Sequence, residues 1–445
     1  MAPLCYNVAY MSNNVITRFA PSPTGFLHIG GVRTALFSFL FARKNKGVFA
    51  LRIEDTDKVR SKNEWTDALI NDLEWLGLKH DVFVRQSDKA DIHKAYIKKL
   101  IDSGHAYVSK EKVVEEGQRD EVIRFKNPNK KVVITDLIRG EVTVDTTDLG
   151  DFVIARSIGE PVYHLAVVID DFEMGITHVI RAEEHLSNTP RQILIQEAIG
   201  APRPIYAHLP LVLAEDRSKL SKRKHGETVS LTYYRNKGYL PEAILNFVAL
   251  IGWNPGTDQE IFALDELIEV FDLSKVQKGG AIFNVQKLDW TNKQYIEKMS
   301  LENFVAAAKD FIPAGTSPKL FPLLKEKASK FSDIVELLEG ELSFVNPLAA
   351  YPKESLKWKQ EKDLETTKRH LKTVIEKLSQ LEDFSKESVK AVLWPIAESA
   401  GKGNVLWPMR YALSGREKSP DPFSISEILG KEETLKRLTF AHDLL

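Results

Sequence analysis

Two short segments hold the residues whose types and spacing suit chemistry on phosphates. The first, PSPTGFLHIGG, sets a turn at Pro21, Ser22, Pro23, Thr24 and Gly25 ahead of His28, Gly30 and Gly31. A run of helical spacing follows at once. Backbone N–H groups and the dipole at such a helix start favour phosphate, and glycine lets a ligand approach the backbone. His28 is a hydrogen-bond donor for a phosphate oxygen on which charge builds up. The plain alternative is a strand–helix turn with a packed histidine, and the motif alone does not decide between them. The second segment, DRSKLSKRK over residues 216–224, carries Arg217, Lys219, Lys222, Arg223 and Lys224. A mobile loop of this kind closes over a polyphosphate and neutralises in-line attack at phosphorus. Its plain alternative is a solvated charged loop. Either motif alone is ambiguous; the pair, far apart in the chain and flanking two βα halves, is informative.

These groups need elements to hold them. Residues 15–19 form a short β-rich run, and Val32, Leu36, Phe39 and Leu40 give helical spacing that closes at Gly47, a helix C-terminal glycine. The strand VFALRIED comes next. Strand–helix–strand with short links implies a parallel βαβ unit with its ligand at the strands' carboxyl ends. Residues 64–107 read as helical, with Trp65, Leu69, Leu73, Trp75 and Leu76 on one face. Residues 110–124 are charged and read as helical or irregular, and 123–145 alternate like strands around the turn Asn127–Pro128–Asn129. FVIAR, VYHLAVVIDD, ITHVIRAEE and IYAHLPLVL read as strands, with a helix over 190–199. The expected fold is α/β, a Rossmann-like split nucleotide-binding domain with residues 110–150 inserted. From 300 to 445 the strand signal fades and amphipathic stretches such as KRHLKTVIEKLSQLEDF predict an all-helical domain.

The bulk numbers fit such an arrangement. A chain of 445 residues is long enough for two or three domains, and 43 % apolar with 28 % charged residues suits a soluble globular protein. No apolar run is long enough to span a bilayer, and MAPLCYNVAYMSNN lacks a secretory signal, so a cytoplasmic location is expected. Residues 1–14 are read as a tail, and Met11 is a candidate second start that would make the first ten residues optional. The lone cysteine, Cys5, excludes an intrachain disulfide and a multi-cysteine zinc site. With 61 basic against 62 acidic residues, net charge does not point to a nucleic-acid binder, although a local basic face still suits a phosphate-rich partner.

Five blocks in order carry a specific resemblance: APSPTGFLHIGG, LRIEDTD, YHLAVVIDDFEMGITHVIRAEEHLSNTPRQI, KLSKRKHG and LDWTNKQYI. From about Val15 to the C-terminus the chain resembles the class I aminoacyl-tRNA synthetases, and within them the bacterial-type glutamyl-tRNA synthetases. HIGG corresponds to the family's HIGH motif and KLSKR to its KMSKS motif. The resemblance implies a catalytic domain over 15–299, with an acceptor-binding insert near 110–150 and a stem-contact region after 225. A helical anticodon-binding domain over 300–445 follows. It implies a ligase that joins glutamate to ATP as glutamyl-adenylate, then transfers it to the terminal adenosine of tRNA(Glu). The resemblance also implies that the first step generally needs bound tRNA, and that Mg²⁺ accompanies ATP.

Roles follow from the same resemblance. His28 and Lys222 stabilise phosphate charge, Lys219 and Arg223 support them, and Ser221 holds the loop closed. Pro21, Ser22, Pro23, Thr24, Gly25, Gly30, Gly31, Glu184 and Leu220 join His28 and Lys222 around ATP, and a helix-capping role is equally open for Glu184. Glutamate is expected against Arg18, Ala20, Ser22, Glu54, Tyr163, Val167 and Arg181. Arginine forks onto a carboxylate in a way that an amide cannot match, so glutamine is expected to be rejected. By position alone, structural ion pairs of Arg18 and Arg181 with Asp55, Asp57, Asp170 or Asp171 are the favoured reading, and the resemblance reverses it. Val167 replaces a polar amide of some relatives and offers only packing or backbone groups. GHAYVSKEKVVEEG lacks the cysteines of many relatives, so no zinc is expected, and the insert is shortened around 118–124. Lys330 stands where some relatives place an anticodon-reading arginine, which keeps tRNA(Gln) open as a second substrate. A non-catalytic RNA-binding paralogue is a further alternative. A monomer is expected.

Overall fold

The computed structural model describes residues 15–112 and 120–445. Cys5, Met11, the rest of the tail and Gln118 in the insert lie outside the described residues. Two compact units divide the chain, residues 1–295 and 296–445.

The first unit opens on β1 (Ile16–Phe19), four buried residues that turn through PSPTG into α1 (Ile29–Lys44). α1 ends at Lys44, and Lys46 takes the left-handed conformation (φ 52°). Gly47 is therefore not the residue with the left-handed backbone. It is small for another reason: a Cβ there would come 2.0 Å from the Val15 carbonyl oxygen. β2 (Val48–Ile53), α2 (Asn63–Trp75), β3 (Val82–Arg85) and α3 (Ala90–Asp102) follow. The stretch read as one helical region is thus two helices parted by VFVR, a strand of four residues, too few to show a period.

β4 (Ala106–Lys110) and β5 (Glu121–Phe125) pair antiparallel where helix or irregular chain was expected over 110–124. Next come the hairpin β6 (Lys131–Asp136) and β7 (Gly140–Asp145), then β8 (Phe152–Ser157) and the two-residue β9 (Glu160–Pro161). VYHLAVVIDD, expected as a strand, is the helix α4 (Tyr163–Glu173), with 165–171 all buried. A continuous β-branched run buried all round suits a core helix as well as a core strand, and periodicity does not separate them. β10 (His178–Ala182), α5 (Thr189–Ile199), β11 (Ile205–Leu209) and β12 (Val212–Leu213) complete the half.

Seven strands form one sheet in the order β3-β2-β1-β10-β11-β6-β7, parallel except for β7. β4, β5, β8 and β9 form a separate antiparallel sheet, so the segment 110–150 feeds both. One core packs α1 against the sheet with Leu231, Phe247 and Trp253, and the other packs α4 and α5 against the opposite face. Helices on both faces make this a doubly wound, Rossmann-like domain. From β1 the chain winds outward to β2 and β3, and from β10 to β11 on the other side. The order therefore reverses between β1 and β10, and a ligand crevice opens beyond their carboxyl ends.

The second unit has no strand among its described residues. Its long helices span Leu364–Ser379, Lys386–Ala400, Lys402–Ser414 and Pro422–Leu444. Leu371, Val374 and Leu378, spaced three and four apart, are fully buried. Arg437 ties three segments together by donating to the carbonyls of Phe344, Leu413 and Asn346. Lys330 pairs with Asp333 at 3.1 Å. No helix among the described residues is long and apolar enough to cross a membrane.

Candidate active site

A cavity of about 620 Å³ opens at the switch point, over the ends of β1, β2, β10 and β11. On one wall His28 is the N-cap of α1. Its Nδ1 accepts the Gly31 N–H at 2.9 Å, so in the neutral ring the proton sits on Nε2 and leaves that nitrogen a donor. The ring reaches solvent through the cavity mouth, yet surrounding protein desolvates it and lowers its pKa. Glu184 opposes that shift and Lys219 adds to it. Gly31 is tight, since a Cβ there would lie 2.8 Å from Leu27 Cδ1. The first turn of α1 carries no acidic residue to neutralise its dipole.

The opposite wall comes from the segment after β11. Val212–Leu213 pairs with Ala281–Ile282, and Leu213 bridges to Lys219 across a turn at 214–218. Asp216 shapes that turn by accepting from Ser218 N–H at 3.0 Å and Lys224 Nζ at 2.5 Å, with Arg217 left-handed at φ 62°. Lys219 forms an ion pair with Glu184, joining the basic loop to the end of β10. Behind this wall Arg33, 1 % exposed, donates to the Pro210 carbonyl at 2.6 Å. Burial lowers its pKa to about 10.

The floor is a buried set of charges. Arg18 Nε donates to Asp171 Oδ1 at 3.1 Å, and Arg52 NH1 donates to the same oxygen at 2.6 Å. Arg52, fully buried, also donates to Glu54 Oε1 at 3.0 Å. Burial opposes the charge of Asp171, but Arg18 and Arg52 outweigh it and hold its pKa below the usual carboxylate range. For Glu54 burial wins over Arg52 and the pKa rises. Arg181 differs. Among the described residues it makes no ion pair; it donates to His208 Nε2 at 3.1 Å and to Thr189 Oγ1 at 2.9 Å, and burial lowers its pKa. Tyr163 lies beside it, its hydroxyl 3.1 Å from His185 Nδ1.

The N-terminal match to the family profile for class I tRNA synthetases (E and Q), catalytic domain, covers residues 14–116 and 109–290. An anticodon binding domain profile matches residues 280–442. The glutamate–tRNA ligase of Carboxydothermus hydrogenoformans is 41 % identical over 478 aligned positions, covering 95 % of this chain and 99 % of that one. That of Aquifex aeolicus is 42 % identical, with 96 % and 98 % covered. This chain belongs to the glutamate–tRNA ligase family. A crystal structure of a glutamate tRNA ligase from Elizabethkingia meningosepticum, in complex with its amino acid, superposes on this ligase with a TM-score of 0.86 at 34 % identity. It covers 97 % of this chain and 99 % of that one.

Within the ligase fold the cavity gathers Arg18, Ala20, Pro21, Ser22, Thr24, Gly25, His28, Gly30, Gly31, Glu54, Tyr163, Arg181, Glu184, Lys219, Leu220 and Ser221. Four expected residues stand apart. Pro23 is buried and does not line the cavity, and Arg223 is exposed outside it. Val167 packs in the core of α4 at 2 % exposure, because α4 is a helix and turns that side chain inward. The side chain of Lys222 lies outside the described ones; its backbone starts a short helix, Lys222–His225. The ion-pair alternative holds for Arg18, through Asp171, and not for Arg181. Arg33, Arg52 and His208 had no sequence signal beyond being polar residues in apolar runs, and His185 had none beyond its place in the polar segment RAEEHLSN.

Proposed function

We infer that the cavity is where L-glutamate and ATP react. An α-carboxylate oxygen of glutamate attacks the α-phosphorus, the bond to the bridging oxygen breaks, and pyrophosphate leaves. The 2′-hydroxyl of the terminal adenosine of tRNA(Glu) then attacks the acyl carbon, gives up its proton, and AMP leaves. One observation carries the reading. Arg18 and Arg181, both on strands flanking the switch point, share one cavity with His28 and Lys219. Cations for a dicarboxylate and donors for a polyphosphate therefore face the same space.

His28, neutral with Nε2–H free to donate, suits a phosphate oxygen that gains charge in the transition state. Lys219, and Lys222 from the same loop, would neutralise the leaving pyrophosphate, with ATP entering as its Mg²⁺ complex. Glu54 is an anionic partner for the α-ammonium, and Tyr163 a hydroxyl beside it. Arg181, buried with no carboxylate partner among the described residues, gains most from an acidic substrate and is left unpaired by an amide. The helical second unit is proposed to read the anticodon, the insert to hold the acceptor end, and the enzyme to work as a cytoplasmic monomer. Charging assays with purified tRNA(Glu) and tRNA(Gln) test this. Glutamate should load onto tRNA(Glu), loading of both would define a non-discriminating enzyme, and loading of neither would overturn the reading.

A further inference from the structure

Arg181 is held by a device that differs from the ion pair holding Arg18. Its register partner on the next strand is His208, fully buried. His208 Nδ1 lies 2.6 Å from Asp136 Oδ2. Asp136, the last residue of β6, also accepts the backbone N–H groups of Ile138 and Arg139 at 2.9 Å and of His208 at 3.1 Å. Burial works against its charge, but these hydrogen bonds outweigh it and keep it a carboxylate. An ionised acceptor on Nδ1 puts the single proton of a neutral imidazole there. Nε2 is then an acceptor, and Arg181 Nε donates to it at 3.1 Å.

The rest of the guanidinium is fixed in the same way. Thr189 Oγ1 lies 3.1 Å from the His185 carbonyl and 3.2 Å from His208 Nε2, two acceptors for its one proton, and its lone pair accepts from Arg181 NH2 at 2.9 Å. NH2 also points to the His185 carbonyl at 3.4 Å. Nε and NH2 are thereby used, and the NH1 protons have no partner among the described residues. The cation is oriented by neutral acceptors, while the carboxylate that anchors the chain, Asp136, is one imidazole away. Direct pairing would have quenched its charge.

The geometry points to His208, locked in one tautomer by Asp136, as the positioning residue that presents Arg181 to a substrate carboxylate. The proposal rests on the reading above, in which Arg181 meets glutamate. It assigns to a histidine with no contact to the cavity a share in selecting an acid over its amide. A histidine kept only for packing would act on stability and on both substrates alike.

The test is steady-state charging of tRNA(Glu) by full-length His208→Leu, His208→Gln, Asp136→Asn and Arg181→Gln, each checked for its melting temperature. Leucine removes the acceptor, while glutamine can place Oε1 near the position of Nε2. His208→Leu should raise KM for glutamate roughly tenfold or more, as for loss of a charge-assisted hydrogen bond, and leave KM for ATP unchanged. His208→Gln should recover most of that loss, and Asp136→Asn, which frees the wrong tautomer, should share it. If His208→Leu does not fold, Asp136→Asn against His208→Gln carries the comparison. An unchanged KM for glutamate in the variants that fold, or equal rises for glutamate and ATP, overturns the role of His208. If Arg181→Gln also leaves KM for glutamate unchanged, it is the assignment of Arg181 to the substrate that fails.

Discussion

At the scale of residues, two arginines of the same type do different work because their partners differ. Arg18 shares Asp171 with Arg52, so its charge is already answered within the protein. Arg181 has no carboxylate among the described residues, and its burial without one is favourable only when a carboxylate arrives. Replacing Arg181 by alanine should therefore raise KM for glutamate about 10²-fold, with KM for ATP within about twofold, in line with an interaction worth 1.5–3 kcal/mol. Lys219→Ala should act on the other substrate, lowering kcat by roughly 10–10³ as a phosphate donor is lost, with the glutamate KM little changed. Steady-state charging with each substrate varied in turn separates the two. Which arginine would find a carboxylate was not legible in the chain. Asp171 reaches Arg18 only because VYHLAVVIDD is a helix, and a strand there would have turned Asp170 and Asp171 to opposite faces.

At the scale of elements, the site is made by where strands stop. β1, β10 and β11 end on Phe19, Ala182 and Leu209; Arg18 and Arg181 sit one residue before the first two ends, and His28 and Lys219 on the segments that leave β1 and β11. The βαβ pattern around HIGG was readable, since helix period and strand period change cleanly across PSPTG. The His208 relay was not, because it depends on β10–β11 register, which neither strand states by itself. Close packing constrains the same elements. Gly47→Ala should cost roughly 1–3 kcal/mol in urea unfolding, because the backbone of Val15 must shift to admit a Cβ. Asp72 on α2 supplies a pH test. It is 4 % exposed, and burial raises its pKa from 3.8 to about 6 against the pull of Arg235. A raised carboxylate pKa means the folded state binds more protons between those values, so stability falls as pH rises through that window. Asp72→Asn should then melt higher than the parent at pH 7.5, by an amount on the order of 1–3 kcal/mol that shrinks as pH falls toward 5. A gain that is the same at both pH values would show that Asp72 does not carry this cost.

At the scale of the whole molecule, strand signal fades in the sequence near residue 300, and the structure has two compact units, residues 1–295 and 296–445. Both units match glutamate–tRNA ligase relatives along nearly the full chain. What composition hid was the nucleic-acid partner: a chain with net charge −1 shows no basic excess. The reading stands or falls on which amino acid is activated. The direct measurement is ATP–pyrophosphate exchange with tRNA(Glu) present, comparing glutamate and glutamine on the full-length enzyme. Exchange should depend on glutamate, with kcat/KM for glutamine lower by roughly 10²–10⁴, as for a buried cation left unpaired. Exchange with glutamine at a comparable rate, or none with glutamate, would contradict the assignment of Arg181 and of the cavity.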